Sequence, residues 1–182
     1  MGSSKALLPY QGQSFLEHLL KIATHPKIGV RRIVLGADAR AIAQAVQLQP
    51  DEVVINEDWE KGQLTSIQAA LRSLPAGTDG MLLSLIDHPL VSRVLVHDLI
   101  ELFYSSGKPI VLPVFKGRRG HPVIFAAQLY KELLAAPPET GARAVVWQHA
   151  KEIAELDTTE EGCVLNLNDP AELARARGSH SG

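Results

Sequence analysis

The chain has 182 residues, of which 46% are hydrophobic and 21% charged, and its formal net charge at pH 7 is -2. This composition is that of an ordinary globular domain and excludes collagen-like, fibrous and disordered proteins. The nearly equal numbers of acidic and basic residues predict no basic surface for binding nucleic acid or an anionic membrane. No apolar run approaches the roughly 20 residues of a membrane span. The single cysteine, Cys163, cannot form an internal disulfide, which suits a cytoplasmic protein.

Apolar periodicity divides the amino-terminal half of the chain into alternating helices and strands. The predicted elements are a helix over 14–23, a strand over 32–36, a helix over 38–47, a strand over 53–55, a helix over 64–74 and a strand over 81–86. Ser14 and Glu17 have the spacing of a capping box, and we expect Asp38 to cap the second helix. The run 81–86 is apolar throughout, which predicts a strand covered on both faces.

The carboxyl-terminal half continues the alternation. It predicts a helix beginning at Ser92, strands over 109–114 and 122–125, helices over 127–135 and 142–150, strands over 153–156 and 164–168, and a final helix from Pro170. Strands that alternate with amphipathic helices indicate an α/β fold with a largely parallel sheet. We expect a single domain over 1–176, followed by a small, polar, flexible tail over 177–182.

Ligands of open α/β sheets collect at the carboxyl ends of the strands, which directs attention to the residues after each apolar run. Asp87 follows one such run directly, and a carboxylate there suits Mg²⁺, which prefers hard oxygen ligands and substrate phosphates. Capping of the helix at Ser92 is the lesser alternative for Asp87. Arg118 and Arg119 either clamp a phosphate or carboxylate or are solvated, and both interpretations stay open.

We expect the remaining candidate residues to have structural rather than catalytic roles. His88 and His121 each precede a proline in a turn, where a lone histidine is more often a hydrogen-bonding loop residue than a catalyst. Cys163 has no basic neighbour in sequence to lower its pKa, so a nucleophilic role is disfavoured. Trp59 is expected to pack. The residues alone therefore predict a metal-dependent enzyme that acts on a phosphate-bearing substrate.

Five segments, in order, resemble the molybdenum cofactor nucleotidyltransferases, the cytidylyltransferases together with the related guanylyltransferases. They are 1–9 (MGSSKALLP), the N-x-x-W-x-x-G-x-x-x-S stretch over 56–66, LIDHPLV over 85–91, GRRGHPV over 117–123, and NLNDPxxL over 166–173. The Gly-His-Pro loop is more similar to the cytidylyltransferase branch. The resemblance implies a Rossmann-like, three-layer α/β fold of the nucleotide-diphospho-sugar-transferase type.

The resemblance also implies a reaction and its partners. The protein would transfer CMP from CTP, or another NMP from GTP or a further NTP, to the molybdopterin cofactor, and release pyrophosphate. Mg²⁺ would be required, and a molybdoenzyme or its chaperone would receive the product. The implied site residues are Lys5 and Asp87 for catalysis, Lys5, Gly36, Asn56 and Ser66 for the nucleotide, Arg119, Gly120, His121 and Pro122 for the acceptor, and Asp87 with Asn168 for the metal.

Members of this family carry a strand and a glycine-rich turn, L-A-A-G-x-S-x-R, ahead of the segment matched by 1–9. The turn cradles nucleotide phosphates through backbone N–H groups. This sequence carries neither, so we expect transfer activity to be compromised in this form. The alternatives are a non-catalytic homologue that binds the cofactor or its enzyme partner, and a nucleotidyltransferase for another phosphate such as a sugar 1-phosphate.

Overall fold

The structure is a computed structural model that describes residues 4–167. Its elements are β1 (Pro9–Tyr10), β2 (Gln13–Ser14), α1 (Phe15–Ile22), β3 (Ile33–Leu35), α2 (Ala39–Val46), β4 (Val53–Ile55), α3 (Gln63–Arg72), β5 (Gly80–Leu83), α4 (Arg93–Ser106), β6 (Ile110–Phe115), β7 (Arg118–Arg119), β8 (Val123–Ala126), α5 (Tyr130–Ala135), α6 (Arg143–Gln148) and β9 (Ile153–Asp157). Each helix and strand expected between residues 14 and 156 is present, with small shifts at its ends.

The strands form a mixed five-stranded sheet and a separate parallel pair. In the larger sheet β5 pairs with β8, and β8 pairs with β6, in both cases antiparallel. β6 also pairs with β9 in parallel and with the short β7. β5, β6 and β9 therefore run in one direction and β8 in the other. β3 and β4 pair in parallel. The predicted α/β, Rossmann-like class is confirmed.

Helices cover both faces of β6, which makes the fold three-layered. Ile110 and Leu112 face a core cluster that includes residues of α3 and α5, whereas Val111, between them, faces a cluster with residues of α1 and α4. This alternation is the period of two that a strand imposes on its side chains. No helix within residues 4–167 has the length and apolar character needed to cross a membrane.

Two of the expected helix caps form and one does not. The Ser14 Oγ accepts a hydrogen bond from the Glu17 N–H at 3.2 Å, and the Ser14 N–H donates to Glu17 Oε2 at 2.7 Å. The Ser92 Oγ accepts from the Leu95 N–H at 3.0 Å at the start of α4. Asp38 precedes α2, but its φ is 56° and its side chain makes no capping hydrogen bond, so the predicted cap is wrong. In this left-handed conformation the carboxylate does not receive an N–H of the first turn.

One further expectation needs correction near the end of the described chain. A 3₁₀ turn, Glu161–Val164, occupies the start of the strand predicted over 164–168, and residues 165–167 pair with no strand of the described chain. Asn168, the helix predicted from Pro170 and the tail over 177–182 lie outside the described residues.

A cavity of about 850 Å³ separates the two sheets. Within residues 4–167, β3 pairs with β4 alone and β5 with β8 alone, and the backbone segments 27–36 and 74–87 line the cavity between them. We call this cavity the slot. The run 81–86, predicted to be covered on both faces, has only Met81 buried, and the strand ends at Leu83 because its partner β8 begins at Val123, opposite Leu83. The apolar residues beyond Met81 are half-buried because they line the slot.

Candidate active site

Four of the residues predicted for the site line the slot together. Lys5 lies in a 3₁₀ turn, Gly36 follows β3, Ser66 lies on α3 and Asp87 follows β5. The fold thus collects them from four separate parts of the chain. Ile86, next to Asp87, packs in the same cluster as Ala6 and Leu35, so the carboxyl ends of β3 and β5 meet at the end of the slot where the 3₁₀ turn lies.

Asp87 presents a partly exposed carboxylate at this edge. Its side chain is 24% exposed, and its Oδ1 lies 4.0 Å from the His88 Nε2. Burial lowers the pKa of His88, against the opposing attraction of Asp87, so the imidazole is neutral at pH 7. The carboxylate therefore keeps its negative charge available to a cation. The Asp87 carbonyl accepts a hydrogen bond from the Leu167 N–H at 2.7 Å, which brings the segment before Asn168 beside Asp87.

Asn56 is buried, and all of its side-chain hydrogen-bonding groups have protein partners. Its Nδ2 donates to the Thr65 Oγ1 and to the Ser66 Oγ, both at 2.9 Å, and its Oδ1 accepts from the Asp58 N–H at 3.0 Å. Both hydrogens of the Asn56 side-chain amide are donated in these bonds. The side chain thus fastens the loop after β4 to the first turn of α3 and positions Ser66, which is a role that the sequence pattern did not reveal.

Gly36 is required by the close approach of Trp59. A Cβ at position 36 would lie 2.5 Å from both Cβ and Cγ of Trp59, well inside van der Waals contact. Trp59 itself is 44% exposed, so its indole lies over the backbone at the end of β3 with its outer face in solvent. The expectation that Trp59 packs is met on one face only.

The buried His88 and the half-buried His121 form a pair behind Asp87. Their ring centroids are 5.0 Å apart with an interplanar angle of 48°, and the Nδ1 of each is buried without a hydrogen-bond partner among residues 4–167. Burial, together with the neighbouring His88, lowers the pKa of His121 to about 4. The sequence pointed to each histidine separately but not to the pair. Their positions at the adjoining ends of β5 and β8, each before a proline, are the signal that could have found it.

The acceptor residues predicted between 119 and 122 divide into buried and exposed positions. Gly120 lies against the Cys163 carbonyl with no space for a Cβ, and its N–H donates to the Pro113 carbonyl at 2.9 Å. Pro122 is less than 2% exposed and packs in the core. The exposed Arg119 binds Glu155 through Nε and Nη2, both at 2.7 Å.

Cys163 is fully buried and supports the structural interpretation of this thiol. Burial and the charge of Glu160 raise its pKa to about 11, so it remains protonated at neutral pH. A thiol is a poor nucleophile in this form. Its carbonyl accepts a hydrogen bond from the His121 N–H at 2.8 Å, and Cys163 therefore holds the 117–122 loop in place.

A second group with metal-ligand chemistry lies away from Asp87. Among residues 4–167, ligand atoms of His25, His97 and Glu101 lie within 4.8 Å of one another. The Lys27 ammonium already donates to both Glu101 carboxylate oxygens, at 3.0 and 3.1 Å, and the Lys27 N–H donates to the His25 Nδ1 at 3.1 Å. Lys27 thus supplies the positive charge of this cluster.

Comparison with known proteins gives a family match over most of the chain. The sequence pattern of the MobA-like NTP transferase domain matches residues 1–153. The nicotine blue oxidoreductase of Paenarthrobacter nicotinovorans is 31% identical over 183 residues, which cover 94% of this chain and 86% of that protein.

Two solved structures show the same fold. Rv0371c from Mycobacterium tuberculosis, solved as a complex with manganese, has a TM-score of 0.77 and 26% identity over 96% of this chain and 91% of its own. The molybdopterin-guanine dinucleotide biosynthesis protein A of Archaeoglobus fulgidus has a TM-score of 0.65 and 19% identity over 99% and 92% of the two chains. At that identity the second likeness concerns the fold alone.

Proposed function

Because the chain belongs to the family of MobA-like NTP transferase domains, we propose that it transfers CMP from CTP, or another NMP from its NTP, to the terminal phosphate of molybdopterin. The observation that carries the proposal is the convergence of Lys5, Ser66 and Asp87 on one cavity at the carboxyl edge of two strands. We further propose a cytoplasmic location, and a molybdoenzyme or its chaperone as recipient of the product.

The reaction needs positioning and charge neutralisation more than covalent help. An oxygen of the acceptor phosphate bonds to the α-phosphorus of the nucleotide, and the bond from that phosphorus to the bridging oxygen breaks. Pyrophosphate leaves with the electron pair. Lys5 would contact the triphosphate and offset part of the negative charge that develops on the departing pyrophosphate.

The donor set at the end of β5 suits a hard divalent cation. Asp87 supplies a carboxylate oxygen that carries no ion pair with its neutral neighbour His88. Mg²⁺ binds through one or two carboxylates plus substrate phosphates, and when bound it neutralises charge on the triphosphate. We assign Asp87 as the anchor of this ion. Asn168, which follows the residue hydrogen-bonded to Asp87, is the proposed second contact.

The remaining residues position the substrates. Asn56 holds Ser66 at the nucleotide side of the cavity, and we propose that the Ser66 hydroxyl contacts the nucleotide directly. On the acceptor side we propose that the exposed Arg119 binds the acceptor phosphate, in exchange for its ion pair with Glu155. His121 and the buried Gly120 and Pro122 shape the loop on which Arg119 lies.

The test is calorimetric titration of the full chain with CTP and with GTP, with and without Mg²⁺. We expect Mg²⁺-dependent binding that Asp87→Asn weakens at least tenfold. Asp51→Asn, which neutralises an exposed carboxylate in the loop before β4, is the matched control and should bind as the parent does. Binding weaker than millimolar for every nucleotide would refute the proposal for this chain and favour a non-catalytic homologue.

The acceptor is tested separately. Pyrophosphate release with molybdopterin, but not with sugar 1-phosphates, supports the proposed acceptor, and the reverse result identifies a sugar-phosphate nucleotidyltransferase. The name of the relative from P. nicotinovorans also makes a redox assay necessary. Reduction of nicotine blue in the absence of any NTP would contradict nucleotidyl transfer as the activity of this chain.

A further inference from the structure

The turn after α1 and one face of α4 bring three side chains with metal-ligand chemistry together. Ligand atoms of His25, His97 and Glu101 all lie within 4.8 Å of one another. His97 and Glu101 are four residues apart on α4, a spacing that places two side chains on the same face of a helix. His25 lies in the turn after α1, and its Nε2 is 3.2 Å from the Glu101 Oε1. The three ligands therefore come from two separate elements of the fold.

The hydrophobic core holds these two elements against each other. Ile22, which ends α1, and Ile28, which follows the turn, pack in the same cluster as Val96 and Ile100 of α4. The side chain of His25, between the two isoleucines, is only 4% exposed. A metal site whose ligands lie on packed elements is held close to its binding geometry before the ion arrives.

The spacing of the ligand atoms is close to that of a tetrahedral ion. Zn²⁺ lies about 2.0–2.2 Å from imidazole nitrogen and carboxylate oxygen, so neighbouring ligand atoms of a tetrahedron are about 3.4 Å apart. The 3.2 Å between the His25 Nε2 and the Glu101 Oε1 already matches this edge. The side chain of His97 is 56% exposed, and rotation about its side-chain bonds can close the remaining distance.

The chemistry of the three ligands favours a transition-metal ion. Mg²⁺ and Ca²⁺ prefer oxygen ligands alone, whereas two imidazoles and one carboxylate suit Zn²⁺ and its neighbours in the first transition row. Three protein ligands and one water is the arrangement of open zinc sites. The cluster thus differs in kind from the carboxylate of Asp87, which suits Mg²⁺ together with phosphates.

The Lys27 ammonium supplies the cation of the cluster in the structure. It donates to both carboxylate oxygens of Glu101, at 3.0 and 3.1 Å. These hydrogen bonds lower the pKa of Glu101, so its carboxylate is ionised at neutral pH. The side chain of Lys27 is 39% exposed, and exposed ion pairs contribute little to stability. A divalent ion can therefore displace the ammonium into solvent.

Metal binding also requires a change of tautomer at His25. The Lys27 N–H donates to the His25 Nδ1 at 3.1 Å, which leaves the proton of the neutral imidazole on Nε2, the atom that faces Glu101. Coordination through Nε2 moves this proton to Nδ1 through solvent, and no proton is released. The Lys27 N–H then bonds to water, which its exposed position allows. Lys27 thus competes with the metal through its backbone and through its side chain.

We propose that His25, His97 and Glu101 bind a divalent transition-metal ion of the Zn²⁺ type, with water as a fourth ligand, in place of the Lys27 ammonium. The ion joins the turn after α1 to α4. Because it binds the folded chain, it raises the stability of the fold by mass action. The inference does not depend on nucleotide transfer, since none of the three ligands lines the slot.

Calorimetric titration of the chelator-treated full chain with Zn²⁺, with no NTP present, tests the proposal. We expect one ion per chain with a Kd in the micromolar range, and a rise in melting temperature on binding. Replacing any one of the three ligands by glutamine should weaken binding by at least about tenfold. These variants are His25→Gln, His97→Gln and Glu101→Gln, and thermal melts without Zn²⁺ verify that each is folded.

His149→Gln is the matched control for a histidine beside carboxylates. The two ring nitrogens of His149 contact different glutamates, Nε2 with Glu132 at 2.8 Å and Nδ1 with Glu152 at 2.9 Å. These glutamates lie on opposite sides of the ring and do not meet at one ion, so the control should bind Zn²⁺ as the parent does.

Lys27→Met distinguishes a metal site from a cluster that is only structural. Without the ammonium the ion has no cation to displace, so binding of Zn²⁺ should tighten by about two- to fivefold. Weaker binding in Lys27→Met would contradict the proposal. Binding weaker than millimolar in the parent chain would overturn it, as would unchanged affinity in the three glutamine variants or an equal loss in His149→Gln.

Discussion

Replacing Asn56 by alanine removes three hydrogen bonds from a buried side chain that joins the loop after β4 to α3. Each bond contributes on the order of 1 kcal/mol net, so we expect the free energy of unfolding to fall by about 3 kcal/mol. The Thr65 Oγ1 keeps its bond to the Asp58 carbonyl at 3.0 Å, whereas the Ser66 Oγ loses the donor that positions it.

Urea denaturation measures this loss. With a slope of about 2 kcal/mol per M, the midpoint should move down by about 1.5 M. Asn166→Ala, at an exposed asparagine, is the matched control and should change the stability by less than about 0.5 kcal/mol. If Asn56→Ala leaves the midpoint unchanged and abolishes nucleotide binding, Asn56 contacts the nucleotide directly and the positioning role argued from its three bonds is wrong.

Three further predictions concern the groups around the cavity. His121 has a pKa of about 4 in the folded chain, against an ordinary value of 6.5. The free energy of unfolding should therefore fall by at most about 3 kcal/mol as the pH falls from about 6.5 towards 4. Thermal melts of His121→Gln should show a flatter dependence on pH. Gly36→Ala should lower the free energy of unfolding by about 1–3 kcal/mol and shift the fluorescence of Trp59, because the new methyl group meets the Trp59 side chain. Gly29→Ala, with open space around it, should change neither the stability nor the fluorescence. Arg119→Ala should lower the free energy of unfolding by less than about 1 kcal/mol, because its ion pair is exposed. It should raise the KM for the acceptor without a change in nucleotide affinity. A loss of nucleotide affinity would argue against the placement of Arg119 on the acceptor side.

The regular elements could be predicted because their sequences carry local signals. The Ser14 and Glu17 capping box and the β-branched run before Gly36 each depend on neighbours along the chain, and both appear in the structure as expected. The cap predicted at Asp38 does not form, because an aspartate before a helix caps it only from an extended backbone and the backbone of Asp38 is left-handed. The half-burial of the residues after Met81 was also unforeseen, since the burial of a strand depends on what lies beside it.

The sequence predicted which residues lie at the candidate site better than it predicted what each of them does there. The rule that ligands meet at strand ends identified Asp87, and the family resemblance added Lys5 and Ser66; all three line one cavity. The role of Asn56 escaped prediction because its partners lie nine and ten residues away across a turn. The His88 and His121 pair escaped it because antiparallel pairing of β5 with β8 brings distant segments together.

The measurement that tests the central claim most directly follows the α-phosphate of the nucleotide. The full chain is incubated with α-³²P-labelled CTP, Mg²⁺ and molybdopterin, and the products are separated by chromatography. We predict that the label moves to the cofactor in step with pyrophosphate release, and that Asp87→Asn abolishes this transfer while Asp51→Asn preserves it. Label that stays in CTP, or transfer that persists in Asp87→Asn, would contradict the account.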